Sequence, residues 1–303
     1  MIIDSHSHWL PDEIISSAHF FHKGWGDIEA QLKMMQDSGI DKAVLSYPTS
    51  DAHLKLGGIS QVARIYNDNV AKILKRYPDK FIGAAVLPTD NAQAMLDELK
   101  RSREELGFKA VSLATSYDGI YLDDSRFLPL LKEAQAKKIP VFVHSQIMAP
   151  IGVERVKDPL LTPVIEYIFD TAICIGKLLM SGALKDLGAT LIFGYFGGAM
   201  PFLEQRFDAT YQMLRGMNFV KDLGGLPTEF LKKVYVDTGG DKSRANIDIS
   251  VSFFGASHIL WGSDWPAKKD IPAGIKAVND LDISQQDKEN ILGRNLANLL
   301  ALS

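Results

Sequence analysis

The chain has 303 residues, 46% of them hydrophobic and 23% charged, with a formal net charge of −4. This is the composition of a globular chain able to bury a large core, and it excludes disorder, collagen and a disulfide scaffold. The charge balance leaves no broad basic face, which argues against a nucleic-acid partner, and no apolar run approaches the roughly eighteen residues of a membrane span.

Cys174 is the single cysteine and can form no internal disulfide. No basic segment precedes an apolar one at the start, so the expectation is a cytoplasmic location. Taken in chain order, short β-rich apolar runs alternate with longer stretches of helical spacing, the pattern of βα units around a parallel sheet. Strands are expected at Met1–Ser5, Lys42–Tyr47, Phe81–Leu87, Ala110–Thr115, Pro140–His144, Thr190–Gly194, Val234–Asp237 and Ile259–Ser263. Between them, Asp27–Ser38 puts Ile28, Leu32 and Met35 on one helical face, and Ser60–Tyr77 does the same with Val62, Ile65, Ile73 and Leu74. Asp90 is expected to cap a helix that ends before Gly107, and Ser284 to cap the last helix, which carries Ile291, Leu292, Leu299 and Leu300.

Eight strands with intervening helices close most simply as an α/β fold of the (β/α)8 TIM-barrel type. No Pro/Gly/Ser-rich linker or charge block divides the chain, so residues 1–303 read as one barrel domain. An open doubly wound sheet would want a Gly-rich phosphate turn after its first strand; here the chain reads Asp4-Ser5-His6-Ser7-His8.

That stretch carries the chemistry. Residues two apart on a strand share a face, so His6 and His8 project to one side and could grip one ion. His144 ends the fifth strand and Asp264 the eighth, which places all four at C-terminal strand ends, the face where such barrels build active sites. Three imidazoles and one carboxylate form a borderline N/O set suited to zinc, with a water in the remaining position. Singly, each has a plainer reading: a surface loop with two histidines, a satisfied core histidine after Val141-Phe142-Val143, a turn before Trp265-Pro266.

Together with Tyr77-Pro78-Asp79-Lys80-Phe81-Ile82-Gly83, Leu106-Gly107-Phe108-Lys109-Ala110-Val111, Gly197-Gly198-Ala199-Met200-Pro201-Phe202, Gly262-Ser263-Asp264-Trp265-Pro266 and Asn295-Leu296-Ala297-Asn298-Leu299-Leu300, these residues resemble the amidohydrolase superfamily. The likeness is to its amidohydrolase-2, aminocarboxymuconate-semialdehyde decarboxylase-like branch, and it covers nearly the whole chain. It implies a distorted (β/α)8 barrel with His6, His8, His144 and Asp264 as ligands of one divalent ion, zinc or else manganese. The only lysine near the fourth strand, Lys109, lies at the wrong end to bridge a second ion. The resemblance also implies a small carboxylate as substrate, and a homodimer, since such proteins commonly dimerise.

The branch consists mostly of carboxy-lyases, which implies non-oxidative decarboxylation of an unsaturated or aromatic acid, with Asp264 as proton carrier and Tyr195 as hydrogen-bond donor. Zinc-dependent hydrolysis of a C–N, C–O or C–C bond stays open. So does a catalytically impaired metal-binding protein, because Tyr195 stands where the family normally has a histidine. A phenol is a poor base at neutral pH, and a packing role for Tyr195 weighs equally with a chemical one.

Other polar residues carry less. Asp237 ends the seventh strand, where a carboxylate could orient a ligand histidine. His53 and Tyr47 could reach the mouth, His19 and His22 lie beside Phe20 and Phe21 in a lid or packing surface, His258 precedes the eighth strand on the opposite face, and Arg206 reads as a helix-surface charge. Ser145–Phe169 is a long loop of the kind that sets specificity in barrels.

Overall fold

The computed structural model describes residues 1–302. Eight parallel strands follow one another in sequence order: β1 (Ile3–His8), β2 (Lys42–Ser46), β3 (Phe81–Val86), β4 (Ala110–Ala114), β5 (Val141–His144), β6 (Leu191–Phe193), β7 (Tyr235–Asp237) and β8 (Ile259–Leu260). The ring closes where Ser5 N donates to Trp261 O at 3.0 Å and His8 N donates to Trp265 O at 2.8 Å, a parallel bridge between the first strand and the segment after the last. The expected (β/α)8 barrel is therefore the observed one. A small antiparallel hairpin, Ser116–Tyr117 with Ile120–Tyr121, follows β4 on the mouth side.

The alternation of side chains along each strand separates two cores. Outward residues such as Ala43, Leu45, Val141, Val143, Leu191 and Phe193 pack against the helices. Inward residues Ile3, Val44, Ile82, Ala84, Ala110, Phe142, Ile192 and Leu260 fill the lower barrel, and Leu296, Ala297 and Leu300 of the last helical segment plug it from below. This interior is a packed floor.

Several boundaries differ from the sequence reading. The first strand runs Ile3–His8 instead of Met1–Ser5, because the Ser/His stretch is paired on both sides at the mouth. Its register against β2 shifts between Asp4 and Ser7, which accommodates one extra residue in β1. The eighth strand pairs only over Ile259–Leu260, since Ser263 turns to bond Asp4 instead: its N donates to Asp4 Oδ1 at 2.8 Å. Asn91, not Asp90, caps Ala92–Glu104 by accepting from Ala94 N, as its extended backbone requires of a cap. Ser284 caps as expected, accepting from Asp287 N. The segment after β5 contains a short helix, Val153–Val156, before the long helix Tyr167–Met180. No helix among the described residues is long and apolar enough to cross a membrane.

Candidate functional site

On four strands the next inward position above the floor is polar. Val44 gives way to Ser46, Ala110 to Ser112, Phe142 to His144 and Tyr235 to Asp237. On β1 the count from the floor residue Ile3 is broken by the extra residue between Asp4 and Ser7, and His6 and His8 rise into the same layer, so that three imidazoles surround one point. Their ring centroids form a nearly equilateral triangle, 5.0 Å for His6 to His8 and 5.1 Å for each to His144. One nitrogen from each lies within 4.8 Å of the others. Asp264 joins from the turn after β8, its Oδ1 at 3.8 Å from His6 Nε2 and 3.5 Å from His8 Nε2. All four side chains are buried, none more than 7% exposed.

The opposite nitrogen of every ring is already engaged. His6 Nδ1 lies 2.9 and 3.0 Å from the two oxygens of Asp237, His8 Nδ1 lies 3.1 Å from Ser46 O, and His144 Nδ1 lies 2.8 Å from Ser145 O. Acceptors on Nδ1 hold a proton there and turn Nε2 inward on all three rings. His6 Nε2 and His8 Nε2 are buried without a hydrogen-bond partner. Buried polar atoms are seldom left so, and their convergence beside a carboxylate fits a cation.

The electrostatics follow from burial and neighbours. Burial disfavours the His6 cation, but the hydrogen-bonded Asp237 carboxylate outweighs it, and the group is pushed up to about 9. Burial, with the nearby His6 charge, pushes His144 down to about 3 and lowers His8, so these two rings are neutral. Burial would raise Asp264, yet the surrounding histidines hold it below the usual carboxylate range. To serve as a ligand, the His6 ring would lose its Nε2 proton and keep its Nδ1 proton, hydrogen-bonded to Asp237.

Tyr195 lies at this mouth and does not pack away from it. Its hydroxyl reaches Asp264 Oδ2 at 3.3 Å, and its ring lies 5.4 Å from His6 and 6.0 Å from His144. β6 ends at Phe193, short of the expected Gly194, and Tyr195 opens a tight turn with a left-handed φ of 52°. The ring lies flush on Gly239, where a Cβ would come within 2.3 Å of it. Burial and the Asp264 charge raise the phenol well above its ordinary value, so it stays protonated, a donor and not a base.

The remaining polar residues sort clearly. Asp237 makes the contact with a site histidine that its place at a strand end suggested. His258 packs its ring 4.9 Å from Tyr235, at the far end of β7 and β8 from the donors. His19 pairs with Asp51, His22 accepts from Gly24 N, and His53 lies 3.1 Å from Ser50 O, all apart from the donor set. Tyr47 is tied to Ser50 Oγ at 2.6 Å, and Arg206 is exposed on the helix Glu204–Gly216. Two contributors were missed. Trp25 stacks on His8 at 5.8 Å, a contact between distant segments that no local pattern announces. Asp4 ties β1 to Ser263, and burial pushes it up to about 7.

A model of the amidohydrolase family matches residues 3–302. Among curated relatives, 2-amino-3-carboxymuconate-6-semialdehyde decarboxylase of Dictyostelium discoideum is 26% identical over 80% of this chain and 67% of its own length. γ-Resorcylate decarboxylase of Polaromonas sp. strain JS666 is 26% identical over 98% of this chain and 97% of its own. The crystal structure of a dihydroxybenzoic acid decarboxylase from Polaromonas sp. JS666, with bound manganese and 2-nitroresorcinol, superposes with a TM-score of 0.83 at 23% identity. It covers 99% of this chain and 97% of that one, a likeness that bears on fold.

Proposed function

This chain belongs to the amidohydrolase family and is an enzyme of it, and we propose that it is a metal-dependent carboxy-lyase that releases carbon dioxide, without oxidation, from a small unsaturated or aromatic acid. The observation that carries the reading is the buried triangle of imidazoles closed by Asp264, with two inward nitrogens lacking any other partner. His6, His8, His144 and Asp264 would hold one divalent ion. Zinc is the preferred ion for this donor set and manganese the alternative, since the Polaromonas structure contains it. When bound, the ion supplies positive charge that orients and polarises the acid.

The rest falls to the chain's own residues. Asp237 and the carbonyls of Ser46 and Ser145 hold the imidazoles in one tautomer and orientation. Burial of the donors excludes bulk water, which strengthens every charge interaction there. In the net reaction the bond from carbon to the carboxylate breaks, carbon dioxide leaves, and a proton takes its place on the carbon. Asp264 is the group placed to carry that proton, and the neutral Tyr195 phenol donates a hydrogen bond to Asp264 or to the acid. Decarboxylation is favoured over hydrolysis by the curated relatives, which are decarboxylases over most of this chain.

The test is carbon dioxide release and product formation from a panel of aromatic and unsaturated acids, run beside lactones and amides. The metal-loaded protein should decarboxylate at least one acid, and Asp264→Asn should lower that turnover by about a hundred- to ten-thousandfold, the range for a positioned proton carrier. Turnover of a lactone or amide with none of the acids would replace this reading with hydrolysis.

A further inference from the structure

Asp170, in the first turn of the helix Tyr167–Met180, is a fully buried carboxylate that the proposed chemistry does not use. It forms no ion pair among the described residues, and a buried carboxylate of that kind persists only where donors are fixed around it. Three are. Tyr121 OH at 2.7 Å and Ile151 N at 3.0 Å donate to Oδ1, which ties the hairpin after β4 to the loop after β5. Oδ2 accepts from the hydroxyl of Thr115, the residue that follows β4.

Thr115 connects that second oxygen to the donor set. Its N donates to His144 O at 2.8 Å, and its Oγ1 accepts from Gln146 N at 2.9 Å. The N–H of Gln146 belongs to the same peptide group as the carbonyl of Ser145, which receives His144 Nδ1 at 2.8 Å. In a planar trans peptide the N–H and the C=O point opposite ways, so holding one on Thr115 aims the other at the imidazole. The Ser145 side chain is held separately: its Oγ lies 2.7 Å from Thr171 Oγ1, which donates to Tyr167 O at 3.1 Å. Two adjacent residues of one helix, Asp170 and Thr171, therefore secure the two residues that follow His144.

We infer that Asp170 is the positioning residue of His144, acting through the Thr115 hydroxyl and the Ser145–Gln146 peptide as Asp237 acts on His6 directly. The carboxylate takes the Thr115 proton, which turns a lone pair of the hydroxyl to the Gln146 N–H, and each bond in the chain polarises the next. The Ser145 carbonyl then keeps a proton on His144 Nδ1 and Nε2 toward His6 and His8. Asp170 itself touches none of the four donors. This role depends on the reading that those donors hold an ion, and it is independent of the reaction the ion serves.

The experiment is titration of the metal-free protein with cobalt(II), read by visible absorption, which reports both affinity and coordination geometry. Thr115→Val and Asp170→Asn, whose amide offers one acceptor in place of two, should each weaken cobalt binding about ten- to a hundredfold and shift its absorption bands. Thr115→Ser keeps the hydroxyl and should bind cobalt with the affinity and spectrum of the wild type. Tyr121→Phe is the control: it removes a donor from the other oxygen of the same carboxylate, so it should lower the melting temperature and leave cobalt binding unchanged. Should Thr115→Val fail to fold, Asp170→Asn against Tyr121→Phe makes the same comparison. Wild-type cobalt binding in Asp170→Asn, or equal weakening in Tyr121→Phe, would overturn the role of Asp170 and leave the ion reading in place. A wild type that takes up no cobalt would remove both.

Discussion

The barrel interior has a floor and a rim built from the same strands, two residues apart. On β5 the step is from Phe142 to His144, on β2 from Val44 to Ser46, on β7 from Tyr235 to Asp237. The floor is apolar and closed from below by Leu296 and Leu300, and its burial stabilises the fold by the ordinary transfer of apolar surface from water. The rim is equally buried but polar, and two of its imidazole nitrogens have no partner, a cost of about 1–3 kcal/mol for each such group. The difference teaches where this chain puts stability and where it accepts a deficit: the rim is tolerable because the floor and the helices hold it, and an ion would remove the deficit.

The largest expected effect that would break the comparison is on the floor. Phe142→Ala should destabilise the protein by about 3–5 kcal/mol in denaturant titration, through lost burial and the cavity left behind. Ion content per folded chain should not change. An ion lost while the fold persists would mean that floor and rim are one cooperative unit.

A smaller effect sharpens the rim. Tyr195→Phe removes one donor and little volume, so turnover should fall about ten- to a thousandfold with metal content and melting temperature nearly unchanged. Unchanged turnover would reduce Tyr195 to a packing residue on Gly239. Tyr195→His is the converse: a gain would mark a weakened enzyme of the family pattern, and a loss would mean that the chemistry has been arranged around the phenol.

The floor was legible in the sequence because period-two alternation and β-branched runs are local. Val141-Phe142-Val143 announces a buried strand whatever surrounds it. The rim was legible only where it shares that period, in His6 and His8, where it terminates a strand, in His144 and Asp237, or where it follows one, in Asp264. The extra residue in β1 between Asp4 and Ser7, the short eighth strand and the stacking of Trp25 on His8 depend on pairing between segments far apart in the chain, which no local window contains. The choice of Asn91 over Asp90 as a cap was open because both side chains can cap, and only the backbone conformation at Asn91 decides it.

The most direct test of the rim is elemental analysis of the protein purified without added metal and after titration with zinc or manganese, for the wild type, His6→Ala, His144→Ala and His258→Ala. The account predicts about one divalent ion per chain in the wild type and in His258→Ala, whose ring lies at the other end of the barrel. It predicts loss of the ion from His6→Ala and His144→Ala in preparations that remain folded. No ion in the wild type by either route, or equal loss from all three variants, would contradict it.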